Sequence, residues 1–207
     1  RFIGVHFMKL ITIFKLQIKI CLFGYFFLSI INFYPAQNTV NLTVYDGLPT
    51  NVVRCIHKAK NGVLWIGTDA GLCSYDGREL VVFDQNDGLP NNLAWAITES
   101  EMGKIWVGCY GGGLAYFDGS GFIDCSKDIP SRSIRTLYYE NDLIHIGTDR
   151  HFMIYDGSAY FHSEDQFQTM KVLKKDTNTF VVTRRKGIYK LVYGKEKRID
   201  FSLDSCS

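Results

Sequence analysis

The 207-residue sequence predicts an all-β fold built from repeated units of four short strands. Two observations support this prediction. A segment of about 40 residues recurs along the chain, and each copy breaks into short runs rich in Val, Ile, Trp, Tyr and Phe. Asn-Gly and Asp-Gly pairs separate the runs, as is typical of two-residue β-hairpin turns. No run keeps the spacing of an amphipathic helix.

The clearest copies are GVLWIGTDAGLCSYDG and GKIWVGCYGGGLAYFDG. Trp65 and Trp106 lie 41 residues apart, and so do Gly67 and Gly108. The Asp-Gly-Leu-Pro motif before each copy also recurs after 41 residues. A third copy, LIHIGTDRHFMIYDG, has His145 in the tryptophan position, and a fourth, TFVVTRRKGIYKLVYG, keeps fewer of the repeated residues. We expect the tryptophans to pack between neighbouring units.

Four strands in about 40 residues is the size of one β-propeller blade. We therefore predict an all-β β-propeller of four-stranded blades, with about four blades present in an incomplete ring. The partial propeller is expected over 38–207, with blade-like repeats at about 50–86, 91–128, 131–165 and 167–203. The segment 39–45 precedes the first Asp-Gly-Leu-Pro as ELVVFD precedes the second, which predicts an outer strand whose partner strands are absent upstream. Such a strand would pair with a last blade further along a longer protein; a small self-contained propeller is the alternative.

The repeats, with two copies of Asp-Gly-Leu-Pro each followed by an asparagine, resemble the two-component regulator propeller family over about 39–201. The first two repeats match most strongly and the fourth most weakly. The resemblance implies the periplasmic sensor region of bacterial, often hybrid, two-component sensor histidine kinases. The chain would then be the N-terminal part of a propeller that binds an extracellular ligand, with an oligosaccharide as one candidate. The signal would pass to a kinase or regulator module absent from this chain.

Two other functions stay open. One is a propeller for protein interaction or surface assembly without signalling output, and the other is an enzyme similar to streptogramin lyases, which need a His and Glu pair with a metal. The sequence contains no phosphate loop, GxSxG, HExxH or kinase signature. We therefore expect no enzyme activity in this chain, no cofactor and no metal. The expected partners are the extracellular ligand, carbohydrate being one candidate, the remaining blades, and a homodimer partner in the full-length protein.

Residues 1–37 predict an export signal. Met8, the expected true start, is followed by Lys9, Lys15 and Lys19 and by the apolar run CLFGYFFLSIINFY. That run is shorter than the ~20 residues of a membrane span, so a signal peptide is favoured and an uncleaved signal anchor helix is the alternative. The protein is thus expected to be exported, to the periplasm or the periplasmic face of the inner membrane. It would touch that membrane only through this segment or a C-terminal span beyond the chain.

Charge and cysteine usage exclude further classes. The 23 basic and 21 acidic residues are too balanced for a nucleic-acid partner. Five cysteines follow the signal, an odd number, so at least one is unpaired. Cys55 and Cys73 align with Ala96 and Ala115 of the next repeat, which predicts buried thiols in small core positions. No cysteine or histidine spacing indicates zinc.

In propellers, ligands usually enter at the face formed by the loops before the inner strand and between the second and third strands. Five residues of these loops are candidate ligand-binding residues: Asn51, Asp69, Asn92, Tyr110 and Arg150. The alternative is that asparagine and aspartate in turns bond only their own backbone.

The inner strands supply four more candidates. They can be aligned on one residue each: Val53, Ala94, Ile134 and Met170. The next residue of each strand then forms a column: Arg54, Trp95, Arg135 and Lys171. Three cations and a tryptophan near a central channel would bind an anionic or sugar-like ligand through charge and stacking. Packing between blades or pairing with acids is the alternative.

Overall fold

The computed structural model describes residues 17, 19, 39, 41–163, 165–175, 178–193 and 199–202. The chain divides into two compact units, Arg1–Asn41 and Leu42–Ser207. The export signal predicted for 1–37 lies outside the described residues except at 17 and 19, and so does Cys206. Within the described ranges we find no helix with the length and hydropathy of a membrane span.

The second unit contains four antiparallel sheets, each of four strands in chain order. The first sheet comprises β1 (Val53–Lys58), β2 (Leu64–Thr68), β3 (Gly71–Tyr75) and β4 (Leu80–Phe83). The second comprises β5 (Ala94–Glu99), β6 (Ile105–Cys109), β7 (Gly113–Phe117) and β8 (Phe122–Asp124). The third comprises β9 (Ile134–Glu140), β10 (Leu143–Thr148), β11 (Phe152–Tyr155) and β12 (Tyr160–His162). The fourth comprises β13 (Thr169–Lys175), β14 (Asn178–Thr183), β15 (Ile188–Tyr193) and β16 (Ile199–Ser202). The predicted all-β fold of four-stranded blades is confirmed.

Consecutive sheets pack through their inner strands: β1 contacts β5, β5 contacts β9, and β9 contacts β13. An apolar core fills each of these three interfaces. Trp65 of the first sheet packs on Phe117 of the second, with ring centroids 5.2 Å apart. Trp106 of the second packs on Tyr155 of the third at 6.0 Å. The tryptophans therefore pack between blades as predicted, and no closed ring is found among the described residues.

The glycine two residues after each tryptophan, or after His145 in the third sheet, lets the next blade approach. A Cβ added at Gly67 would lie 2.4 Å from the carbonyl oxygen of Ala94, the first residue of the next inner strand. A Cβ at Gly147 would lie 2.4 Å from Cγ2 of Thr169 in the same way. In the fourth sheet Val182 takes this position, since it pairs with the inner strand as those glycines do. The repeated glycine is thus explained by contact between sheets.

The outer strand predicted for 39–45 is wrong at Val44 and Tyr45, which lie in a 3-10 helix. Val44–Asp46 forms a 3-10 helix, and Gly47 ends it in the left-handed conformation at φ 105°. The side chains of Thr43 and Asp46 bond the backbone N–H groups at the start of this turn. Residues 41–43 carry no strand, because no described strand lies beside them to pair with. An equivalent 3-10 helix, Gln85–Asp87, follows β4.

The cysteines fill core positions as expected. Cys73 and Cys109 are fully buried and Cys55 is partly buried, all as free thiols. Burial raises the pKa of the Cys73 thiol to about 11, so it stays protonated near neutral pH. His145 is also fully buried, with its ring 6.0 Å from those of Tyr138 and Phe152.

The outward faces of the first and fourth sheets are apolar and exposed. On the first, Ile56 is 61% exposed. On the fourth, Ile188 is 50% exposed, whereas Leu72 and Leu114, which hold the same place in the first two sheets, are fully buried. Leu173, Phe180, Val182 and Ile188 line a groove on this face together with three lysines.

Candidate functional site

Each inner strand carries a β-bulge at the same place. The pairing of β1 with β2 skips one residue between Val53 and Cys55, and the other three inner strands skip one in the same way. The four residues left without a pairing partner are Arg54, Trp95, Arg135 and Met170. A bulge releases one residue from the pairing and re-aims its side chain. The column predicted on the inner strands therefore has a structural basis in three of the four sheets.

The fourth member of that column was predicted wrongly. Lys171 pairs in register with Val182, and Met170 is the bulge residue. The alignment should have started from Thr169, which pairs with Thr183 as Ile134 pairs with Thr148. The spacing could have shown this, because both of these pairs are 14 residues apart in the sequence. The column thus contains two arginines, a tryptophan and a 48% exposed methionine.

A second column lies beside the bulges, at the residue that follows the second strand of each sheet: Asp69, Tyr110, Asp149 and Arg184. Each of these residues donates its backbone N–H to the carbonyl of a residue just before the inner strand, as Asp69 does to Val52 and Tyr110 does to Leu93. The two columns therefore lie next to each other at the same end of the sheets. Asp149 and Arg184 were not among the predicted site residues.

In the first sheet, the two columns form an ion pair. Arg54 Nε donates to Asp69 Oδ1 at 2.7 Å, and Arg54 Nη2 bonds the other carboxylate oxygen. The Trp95 indole Nε1 of the second sheet donates to the same Asp69 Oδ1 at 3.1 Å. The Arg54 hydrogen bonds, with a smaller contribution from Trp95, hold the pKa of Asp69 below its usual value. Asp69 thus connects two blades while it neutralises Arg54.

In the second sheet, the two columns form an aromatic stack. The Trp95 and Tyr110 ring centroids lie 4.3 Å apart at 23°. Arg135 of the third sheet places its Cζ 5.3 Å from the Trp95 centroid and 5.2 Å from that of Tyr110. The two distances are nearly equal, so the Arg135 guanidinium contacts both rings. Arg54 approaches Trp95 at 4.9 Å.

Five predicted residues therefore form one contacting group, which we call the inner cluster: Arg54, Asp69, Trp95, Tyr110 and Arg135. It combines two guanidinium groups, one carboxylate and two aromatic rings across three blades. Such a group can bind a ligand through charge and hydrogen bonds. Both alternatives weighed for these residues are present in part, since Arg54 pairs with an acid and Trp95 packs between blades.

The remaining predicted residues lie outside the inner cluster. Asn51 Oδ1 accepts a hydrogen bond of 3.0 Å from the backbone N–H of Val44, and Asn92 Oδ1 does the same for Gln85. These asparagines thus complete the 3-10 helices. This is the turn role that was the alternative to ligand binding. Arg150 is exposed on the loop after β10, and Lys171 is exposed on β13.

Within the described residues no group of three or more His, Cys, Asp or Glu side chains is placed to hold a metal ion. The inner cluster offers guanidinium, carboxylate and aromatic groups to a ligand.

The fold and its repeat define a β-propeller of four-stranded blades, with four blades in the described chain. The model of a family described as "Two component regulator propeller" matches residues 47–70. This segment thus matches the repeat of that family, which confirms the resemblance seen in the sequence. A search of curated proteins finds no match.

Similar solved structures support the fold. One is described as the extracellular domain of a hybrid two component system of Bacteroides thetaiotaomicron, with TM-score 0.62, 19% identity, and coverage of 82% of this chain and 25% of that one. A second such domain from the same organism has TM-score 0.52, 14% identity, and coverage of 75% and 30%. PorZ, a surface component of the type-IX secretion system of Porphyromonas gingivalis, has TM-score 0.54, 15% identity, and coverage of 80% and 29%. The chain therefore spans a quarter to three tenths of the length of these proteins.

Proposed function

We propose that this chain is the N-terminal part of an exported, ligand-sensing propeller of a two-component sensor. The match of residues 47–70 to the regulator propeller family carries this proposal. Two similar structures, described as extracellular domains of hybrid two component systems, support it. The kinase or regulator module that receives the signal would belong to the full-length protein.

We propose the inner cluster as the place where an extracellular ligand, such as an oligosaccharide, is bound. It joins three blades, so a ligand held there contacts residues from three separate sheets. A ligand shifts a conformational equilibrium by no more than its difference in affinity for the two states. The shift would occur between propeller domains or protomers of a homodimer. The exposed apolar faces around Ile56 and Ile188 would pack on the remaining blades.

The test is a transcriptional reporter driven by the full-length sensor in the bacterium that encodes it. The cells are exposed to a panel of neutral and acidic oligosaccharides. A responsive ligand should lose its effect when Arg54 and Arg135 are both replaced by glutamine, while the protein is still exported in normal amount. Lys171→Gln is the matched control, because Lys171 is an exposed cation outside the inner cluster. A double variant that responds as the wild type does would exclude the inner cluster as the sensing site.

The similarity to PorZ favours a second candidate function, a surface-assembly propeller without signalling output. In that case deletion of the gene would alter the set of proteins displayed at the cell surface. The transcriptional response to added oligosaccharides would stay unchanged. Surface proteomics and transcript profiling of the same deletion strain separate the two functions.

A further inference from the structure

We propose that the ligand at the inner cluster carries an anionic group, a carboxylate or a sulfate, and that Arg135 is the residue that receives it. This inference rests on the proposed function in that the ligand is the one the propeller senses. It goes further because it names the chemistry of the ligand and the group that selects it.

The first argument is charge. The two arginines of the inner cluster differ, because Arg54 is paired with Asp69 through two hydrogen bonds. Across the described residues, no carboxylate lies within ion-pair distance of Arg135. The Nε atom of Arg135 is buried and has no hydrogen-bond partner among the described residues. The inner cluster therefore contains one neutralised cation and one whose charge is left for a ligand.

The second argument compares equivalent positions. Arg135 and Asp149 occupy in the third sheet the places that Arg54 and Asp69 occupy in the first. The first pair bonds, whereas the second does not. The Asp149 carboxylate accepts a hydrogen bond of 3.2 Å from Ser131 Oγ instead. The sequence thus supplies an acid at the equivalent place, and the structure keeps Arg135 away from it.

The third argument is the arrangement of the aromatic rings. Tyr110 stacks on Trp95, and Arg54 approaches the same indole ring. Trp95 is therefore not an open platform on which a neutral sugar ring could stack. The two rings instead hold the Arg135 guanidinium from one side through cation–π contact. Of the two ligand types expected from the sequence, this arrangement favours the anionic one over the stacked neutral sugar.

A guanidinium held in this way suits an anion. Its N–H donors lie in a rigid plane that matches the oxygens of a carboxylate or sulfate, and charge-assisted bonds of this kind are about twice as strong as neutral ones. The anionic group can belong to an acidic oligosaccharide or to a free small acid. Both present the same oxygens to Arg135, so the experiment must separate them.

The Trp95 indole N–H is a reporter inside the site, because it bonds Asp69 beside Arg135. The chain has three tryptophans, and the 15N-labelled protein gives one indole signal for each. The Trp95 signal is assigned by its loss in Trp95→Phe. Sodium sulfate is titrated into the whole chain against sodium chloride at equal ionic strength. We expect a saturable shift of the Trp95 signal with sulfate only, while the signals of the buried Trp65 and Trp106 stay in place.

The variants decide which residue is responsible. Arg135→Gln should weaken sulfate binding by about tenfold or more, as expected when a hydrogen bond to a charged group is lost. Lys171→Gln should bind as the wild type does, and Arg135→Lys should keep part of the affinity. Unchanged Trp65 and Trp106 signals show that a variant is folded. If Arg135→Gln does not fold, Arg135→Lys is used instead and must still bind sulfate more weakly than the wild type. The proposal would be overturned if the wild type showed no saturable shift with sulfate, or if the Arg135 variants bound sulfate as tightly as the wild type does.

Two further titrations identify the source of the anion. If trigalacturonate binds more tightly than sulfate and neutral galactotriose does not bind, the ligand is an acidic oligosaccharide. Citrate or succinate that binds more tightly than trigalacturonate indicates a free small acid. Both results support an anion at Arg135, and galactotriose binding that survives Arg135→Gln contradicts it. If the anion binds to the chain but the transcriptional reporter in cells does not respond, the proposed sensing function fails while this inference stands.

Discussion

Ile134 of the third sheet lies directly against Gly108 of the second. A Cβ on Gly108 would stand 2.3 Å from Ile134 Cγ2, closer than two carbon atoms can approach. Gly108 is not among the glycines with positive φ, so packing between the sheets requires glycine here, and backbone conformation does not. The same contact recurs between Gly67 and Ala94 of the preceding pair of sheets.

Gly108→Ala should therefore lower the free energy of unfolding by about 2 kcal/mol, the typical cost of overpacking a core. Denaturant unfolding followed by tryptophan fluorescence measures this. In the double variant with Ile134→Ala, the clashing methyl is gone, so the combined loss should be smaller than the sum of the two single losses. Strict additivity would show that the clash is relieved in some other way.

Asp69→Asn should increase the affinity of the inner cluster for sulfate, because the substitution removes the carboxylate that neutralises Arg54. Stability should change by less than about 1 kcal/mol, since exposed ion pairs contribute little. The asparagine oxygen can still accept the Trp95 N–H, so the indole signal remains usable. Titration of this variant beside the wild type measures the effect; weaker sulfate binding would contradict the assigned charge balance.

Asn92→Ala should lower stability by about 1 kcal/mol, the usual cost of losing a side-chain cap at the start of a helical turn. Sulfate binding should be unchanged, because the Asn92 side chain accepts its hydrogen bond from the backbone of Gln85 and lies outside the inner cluster. Asn86→Ala, on the same exposed turn, serves as the control and should have a smaller effect on stability. Loss of sulfate binding in Asn92→Ala would show that Asn92 contributes to ligand binding after all.

His145 makes stability depend on pH. Burial lowers its pKa from an ordinary value of 6.5 to about 4, so between these values the unfolded chain binds a proton that the folded chain does not. The free energy of unfolding should therefore fall as the pH falls from 7 to 4.5, by up to about 2 kcal/mol from this group.

The matched variant is His145→Phe, which cannot titrate. Denaturant unfolding of both proteins at pH 7 and pH 4.5 gives the comparison, and the variant should lose less stability between the two. Equal losses would mean that His145 takes up a proton in the folded state as easily as in the unfolded one.

The sequence was sufficient to predict the blades because their signals are local. Turn pairs such as Asn61-Gly62 mark the strand ends, and the 41-residue spacing of Trp65 and Trp106 marks the repeat. The residues of the inner cluster could be predicted, since Arg54, Trp95 and Arg135 follow from alignment of the inner strands. Asp69 and Tyr110 follow from the loops at the same end. The bulges could not be predicted, because a skipped pairing depends on two strands together. Lys171 was chosen in place of Met170 because the fourth inner strand was aligned one residue too late, an error that the 14-residue spacing could have corrected.

Which arginine forms an ion pair with an aspartate could not be predicted from the sequence either. Arg54 and Arg135 have an aspartate in equivalent places, yet only Arg54 bonds it. Which partner an arginine selects depends on the rings and carboxylates that neighbouring sheets bring within reach. A pattern within one repeat contains no information about these neighbours.

The bulges have a consequence for how such proteins diversify. A residue freed from strand pairing can be exchanged without disturbing the hydrogen bonds on either side of it, so arginine, tryptophan and methionine share one place in this chain. Each blade then offers a single variable position at the same place in its inner strand, on a framework that stays constant. New recognition properties can arise there by point substitution, one blade at a time.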